Sequence, residues 1–93
     1  MARLNNTKIQ QELKHLSGWV KRRIEIRKKF EFKDFVRAMG FVNSVALLAE
    51  RANHHPDIDI RWNKVLLVLS THSEGGITKK DIALAKEIQS LLK

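Results

Sequence analysis

Residues 50–81 read ERANHHPDIDIRWNKVLLVLSTHSEGGITKKD, and the parsing of this stretch decides the fold. It opens as the end of a helical pattern and breaks at Pro56, the only proline. A residue that precedes proline is pushed out of the helical region, so His55 is expected to be extended. Ile58, Ile60 and Trp62 then alternate with Asp59 and Arg61, the spacing of a short strand. Asn63-Lys64 is the expected turn. Residues 65–72, VLLVLSTH, follow as a second strand. Val65, Leu67, Leu69 and Thr71 share one of its faces; Leu66, Val68, Ser70 and His72 share the other. Apolar residues on both faces predict a central strand, or one whose second face meets a partner. Ser73–Ile77 is a glycine-containing loop. Thr78 and Asp81 then make the T-x-x-D pattern that caps a helix N-terminus, and Ile82, Ala85, Ile88 and Leu92 line that last helix.

Upstream, Lys33–Asn53 reads as a long helix with Asp34 in its first turn. Phe35, Met39, Val42, Ala46 and Ala49 make one apolar stripe; Phe41, Val45, Leu48 and Ala52 make a second beside it. Two stripes exceed what one small sheet covers, so a contact with another subunit is expected, and Gly40 is a point where a second backbone can approach. Before the helix, Gly18–Phe32 reads as a β-hairpin with its turn near Arg22-Arg23. Ile24, Ile26, Phe30 and Phe32 alternate along its second strand, and Lys28 interrupts them as if at an end or edge of the sheet. A short first helix, Thr7–His15, carries Ile9 and Leu13, is capped by Asn6 or Thr7, and ends at Ser17-Gly18. The expected order is α-β-β-α-β-β-α. That is a single α+β domain over residues 1–93: a four-stranded antiparallel sheet with helices on one face.

Ninety-three residues suit one domain, with a binding cleft at a surface or between subunits. No apolar run approaches a membrane span, and the first residues lack the apolar core of a secretory signal. There is no cysteine, which excludes disulfides and thiolate ligands and fits a cytoplasmic protein. The net charge is +8, and most of the excess lies in residues 1–31, with nine Lys/Arg against three Glu. Such a surface attracts anions. No aromatic RNA-binding motif is interleaved with those charges, so nucleic acid ranks last among partners.

Three of the four histidines fall in residues 50–81. Imidazoles titrate near neutral pH, so His54, His55 and His72 brought together can give and take protons without a metal. Adjacent histidines lack the i, i+4 spacing of a helical zinc site, and no cysteine assists, so neither a metal nor a cofactor is expected. Glu50 lies four residues before His54, and helical spacing brings its carboxylate within reach of an imidazole. Thr78 and Asp81 are expected to cap a helix, and Trp62 to fill core, whatever else they do.

Taken together, Glu50, His54-His55-Pro56, Trp62, His72 and Asp81 resemble the pattern of pterin-4a-carbinolamine dehydratases. The stretch FEFKDFVRAMGFV at 30–42, LSTH at 69–72 and GITKKD at 76–81 extend the resemblance over nearly the whole chain from Gly18. It departs from animal members at Asn53 (usually aspartate), Ile58 (often tryptophan) and Trp62 (tyrosine), which suggests a prokaryotic member. The resemblance implies a lyase that removes water from 4a-hydroxytetrahydropterin to give quinonoid dihydropterin. It implies His54 and His72 as the acid/base pair on the leaving hydroxyl and His55 as a third proton-handling residue that holds the ring. Thr71, Ser73 and Glu74 are implied as substrate contacts, Pro56 as a wall, and Glu50 and Asp81 as supporting carboxylates. It also implies a homodimer or homotetramer. A competing role is a protein-interaction module, the dimerisation cofactor of a transcription regulator, which would engage its partner through the long helix.

Overall fold

The computed structural model describes residues 2–92. Helix α1 (Asn6–Leu13) is followed by β1 (Val20–Arg22), β2 (Glu25–Glu31), α2 (Phe35–Ala52), β3 (Asp57–Arg61), β4 (Lys64–Leu69) and α3 (Lys79–Ser90), so the expected order holds. The sheet is antiparallel throughout, in the order β1-β2-β4-β3. Strand β4 is central, as its two apolar faces predict. Its inward row of Val65, Leu67 and Leu69 is fully buried with Ile26 and Phe30 of β2. Onto that row pack Ala38, Phe41 and Val45 of α2 and Ile82, Leu84, Ala85 and Ile88 of α3, joined by Ile9 and Leu16. Burial of these apolar side chains, at about 25 cal/mol per Å², holds the helices to one face. Phe41 stacks at a tilt between Phe30 and Phe32, with centroids 4.8 and 4.9 Å away.

Several boundaries differ from the sequence reading. Helix α1 begins one residue earlier because Asn5, not Asn6 or Thr7, accepts the Lys8 amide at 2.8 Å, and it ends at Leu13, leaving His15 in the following turn. Asp34 lies outside α2 as its N-cap, accepting the Arg37 amide at 2.8 Å. The hairpin turns fall at Arg23-Ile24 and Trp62-Asn63, one residue later and one earlier than expected. Arg23 and Trp62 both adopt positive φ. Trp62 is therefore neither in β3 nor in the core; it is 65% exposed. Asn63 locks this corner instead: its Nδ2 donates to the Phe32 carbonyl at 2.7 Å, and its own carbonyl accepts the Phe32 amide.

Lys28 sits mid-way along β2, paired with Leu67 of β4 on one side and one residue past Arg27, the last to pair with β1, on the other. The sheet does end there on the β1 side, and Lys28 Nζ donates to the Ser17 carbonyl and to Gln89 Oε1 at 2.8 and 3.0 Å. Burial pushes its ammonium below the ordinary lysine pKa. On α2 the buried row is Ala38, Phe41, Val45 and Ala49, drawn from neither expected stripe alone. Phe35, Val36, Ala46 and Leu47 face outward, and among the described residues nothing from outside the helix comes within 4 Å of where a Cβ on Gly40 would sit.

Candidate active site

Strand β4 stops at Leu69, where its pairing ends: Ile26 opposes Leu69 and Asp57 opposes Val68 as the last pairs. The expected strand to His72 is therefore cut short. Ser70 is tied to the Ile24 carbonyl through its hydroxyl, and Thr71 makes an isolated bridge with Gly76. His72–Glu74 form a single 3-10 turn closed by Gly75 at φ 68°, so His72 is exposed on a turn rather than carried by a strand.

The end of α2 is set by Asn53, which takes the left-handed conformation at φ 50° and ψ 44°. Its amide reaches the Glu50 carbonyl, and the His54 amide reaches the Ala49 carbonyl, the paired closure of a Schellman motif. This reversal separates the two histidines. His54 swings inward and its Nε2 meets Asp81 Oδ1 at 2.5 Å. His55 stays exposed, with Nε2 2.6 Å from Glu50 Oε2. The expected Glu50–His54 pairing thus does not form, because helical spacing no longer applies beyond Asn53.

Asp81 is fully buried and both its oxygens are engaged. As the N3 residue of a capping box it accepts the Thr78 amide at Oδ2, 2.9 Å away. The same oxygen accepts the Thr71 hydroxyl at 2.8 Å. Thr71 Oγ1 has one hydrogen, so at its 2.8 Å contact with Thr78 Oγ1 the Thr78 hydroxyl is the donor. The Thr78 oxygen in turn accepts the Lys80 amide. Four residues, from two loops and the first turn of α3, therefore form one directed chain: Thr78 to Thr71 to Asp81, with His54 at its end. Facing a carboxylate, His54 Nε2 carries the proton, and Nδ1 is the ring's basic nitrogen. Among the described residues Nδ1 has no partner within the chain.

The fold thus brings His54, Asp81, Thr71 and Thr78 into contact and sets His72 one residue beyond Thr71, while His55 and Glu50 form a separate surface pair. Pro56 follows the pair, half-buried, and Ser73 and Glu74 are exposed on the turn with His72. Sequence reasoning read Thr78 as a cap alone and gave Asn53 no role in the site. The T-x-x-D pattern did signal where Asp81 would stand, but nothing in it tells that the second carboxylate oxygen is aimed at His54. Among the described residues no three histidines or carboxylates converge as metal ligands.

This arrangement stands in a chain whose residues 2–91 match the family model described as Pterin 4 alpha carbinolamine dehydratase. The chain belongs to that family. A protein of Roseiflexus castenholzii described provisionally as a pterin-4-alpha-carbinolamine dehydratase is 52% identical over 91 residues, covering 98% of both chains. One of Acidobacterium capsulatum, with the same provisional description, is 51% identical over 92 residues, covering 99% of this chain and 100% of that one. A crystal structure from Brucella melitensis, titled as a transcriptional coactivator/pterin dehydratase, superposes with a TM-score of 0.94 at 39% identity, covering 98% of this chain and 99% of that one. A pterin dehydratase-like protein identified as a RuBisCO assembly factor in the alpha-carboxysome shares the fold at a TM-score of 0.66 and 20% identity, over 78% of this chain and 84% of that one. Like the chain's element order, these two structures place the molecule in the pterin dehydratase fold. Among the described residues no helix is long and apolar enough to cross a membrane.

Proposed function

We propose that this chain dehydrates 4a-hydroxytetrahydropterin to quinonoid dihydropterin, using imidazoles to move the protons. The observation that carries the reading is the buried Asp81 carboxylate, held by the Thr71 hydroxyl and the Thr78 amide and aimed at His54 Nε2. A carboxylate so held fixes the ring's tautomer and orientation, leaving Nδ1 to accept or deliver a proton. In the reaction the C4a–O bond breaks and the hydroxyl leaves as water after gaining a proton. The N5–H proton departs to a base, and the nitrogen's electrons close the C4a=N5 bond. One proton is consumed and one released, so a pair of imidazoles, His54 and His72, serves both ends, with His55 on the rim as the third.

In this reading Asp81 and Thr71 stand behind His54 as positioning residues, since their polar atoms are spent on each other and on the capping box. Pro56, Ser73, Glu74 and Glu50 border the substrate. The proposed setting is a cytoplasmic homodimer or homotetramer. The test is stopped-flow dehydration of synthetic 4a-hydroxytetrahydropterin, read as acceleration over buffer at equal pH. Acceleration lost in His54→Ala and His72→Ala is expected. A folded parent that gives no acceleration refutes the reading.

A second reading, a protein-interaction module, is favoured by the outward face of α2, where Val36 is 78% and Leu47 73% exposed. It also accords with the coactivator named in the Brucella title. Partner capture that survives all three histidine substitutions, but not Val36→Lys or Leu47→Lys, separates it from dehydration.

A further inference from the structure

The loop that carries His72 has a second side. There Gly75, Gly76 and Ile77 form one wall of a cleft of about 400 Å³, closed by Leu4, Asn5, Asn6 and Ile9 and by the β1–β2 turn. Among the described residues its charged lining is Arg3, Lys21 and Arg23, with no carboxylate. Neither arginine makes an ion pair or side-chain hydrogen bond among the described residues, and Lys21 Nζ is held only by the Arg23 carbonyl at 2.7 Å. Some cations elsewhere are matched to carboxylates, Lys8 and Lys86 to Glu12, Arg27 to Glu25, Arg51 to Glu87 and Arg61 to Asp59. Others, such as Arg22, Arg37 and Lys80, stand singly on the surface among the described residues. The cleft differs in gathering three into one concavity without a carboxylate. Three like charges lining one concavity repel one another, a cost that an anion of two or more charges would relieve.

The cleft is also built rather than incidental. Leu4 donates its amide to the Ile77 carbonyl at 2.8 Å, which straps the N-terminal segment onto the loop. The stem of Arg3 lies across Gly76 so closely that a Cβ there would sit 2.7 Å from Arg3 Cδ. Gly76 does not need its conformational freedom, because its φ is ordinary; its lack of a side chain makes room for Arg3. The wall is joined to the candidate active site as well, since the Thr71 amide donates to the Gly76 carbonyl at 2.8 Å and Thr71 in turn holds Asp81.

We propose that this cleft is a binding site for a phosphate-bearing small molecule, gripped by Arg3, Lys21 and Arg23. Guanidinium groups suit phosphate because their planar donors match its oxygens in pairs. Two sources share that chemistry: a phosphate ester on the side chain of the pterin itself, or a separate phosphorylated metabolite. The site stands without the dehydratase reading; only its assignment to the substrate's own tail rests on it.

The first experiment is an amide and arginine Nε NMR titration of the full chain with inorganic pyrophosphate at constant ionic strength. Saturating shifts confined to residues 3–6, 21–24 and 75–77 are expected. Arg3→Gln and Arg23→Gln should each weaken the binding roughly tenfold, as for a charge-assisted hydrogen bond worth about 1.5 kcal/mol or more. Arg22→Gln, a neighbouring cation outside the cleft, should leave it unchanged. Non-saturating shifts spread over the basic surface, or unaltered binding in the Arg3→Gln/Arg23→Gln double variant, overturn the site. The second experiment compares KM for a 4a-hydroxytetrahydropterin with and without a phosphate ester on its side chain. A preference for the ester that the double variant abolishes assigns the cleft to the substrate's tail. Pyrophosphate binding without that preference assigns it to a separate phosphate compound. A chain that binds pyrophosphate but dehydrates neither pterin refutes the proposed reaction and leaves the site standing.

Discussion

Replacing Thr71 by valine keeps the volume of the side chain and removes one hydroxyl. That hydroxyl donates to Asp81 Oδ2 at 2.8 Å and accepts from Thr78 at 2.8 Å, both in a buried setting. Asp81 keeps the Thr78 amide and His54, so it is not orphaned, but one of its three contacts is gone. A hydrogen bond to a charged group contributes about 1.5–3 kcal/mol. For a domain of this length each kcal/mol moves Tm by roughly 4–8 °C, so a fall of roughly 6–24 °C is expected in thermal unfolding. If Thr71 also holds Asp81 in line with His54, kcat for dehydration should drop on the order of tenfold, about 1.4 kcal/mol, with KM little changed. The downfield proton on His54 Nε2 should shift or broaden in NMR. Thr71→Ser, which restores the donor, should recover all three signals. A Thr71→Val protein with a lower Tm but the parent's kcat and an unmoved His54 proton would show that Thr71 serves the fold alone, and the positioning argument would be refuted.

Three further substitutions check other parts of the structure. Asn53→Ala should cost about 1 kcal/mol in urea unfolding, because alanine tolerates the left-handed cap poorly, whereas Asn53→Gly should lie within a few tenths of the parent. Trp62→Gly should leave Tm unchanged or raised, since the indole is exposed at positive φ; a loss of about 3–5 kcal/mol would instead place it in the core. Glu12→Gln should flatten the acid limb of stability. Hydrogen bonds from Lys86 and then Lys8 hold the Glu12 carboxyl below its ordinary value of 4.5, and burial opposes them only in part. A carboxyl with a depressed folded pKa contributes stability above its unfolded value and loses it as pH falls through the folded one. Parent and variant should therefore differ near neutrality and converge as the pH drops below 4.5, measured by urea midpoints across that range.

The order of elements was legible because each hydrophobic period in the chain agrees with its burial. Val65, Leu67 and Leu69 alternate and are buried, and Ile82, Ala85 and Ile88 recur at helical spacing and are buried. At the helix ends the reading failed on local caps, Asn5 to Lys8 and Asp34 to Arg37; in the sheet the deciding interaction was with a residue far along the chain. Alternation through Ser70, Thr71 and His72 predicts a strand, but a strand lasts only as long as its pairing, and the last partners of β4 are Ile26 in β2 and Asp57 in β3. Lys28 breaks an apolar face and reads as an edge. Pairing with β1 does stop at Arg27, but the ammonium turns back to the Ser17 carbonyl and to Gln89, the latter sixty-one residues away.

The candidate site follows the same logic at closer quarters. Its residue types were visible, since histidine beside proline, a T-x-x-D cap and a basic N-terminal third are local features. Its pairings were not, because one backbone reversal at Asn53 sends His54 to Asp81, twenty-seven residues on, and leaves Glu50 to His55. The capping box then has two consequences. It starts α3, and by fixing Asp81 Oδ2 it leaves Oδ1 free to hold an imidazole. A helix cap of this kind therefore couples the stability of α3 to the orientation of His54, so substitutions at Thr78 or Asp81 change fold and site together. Only variants such as Thr71→Val, which leave the cap's own hydrogen bonds intact, can weigh the two apart.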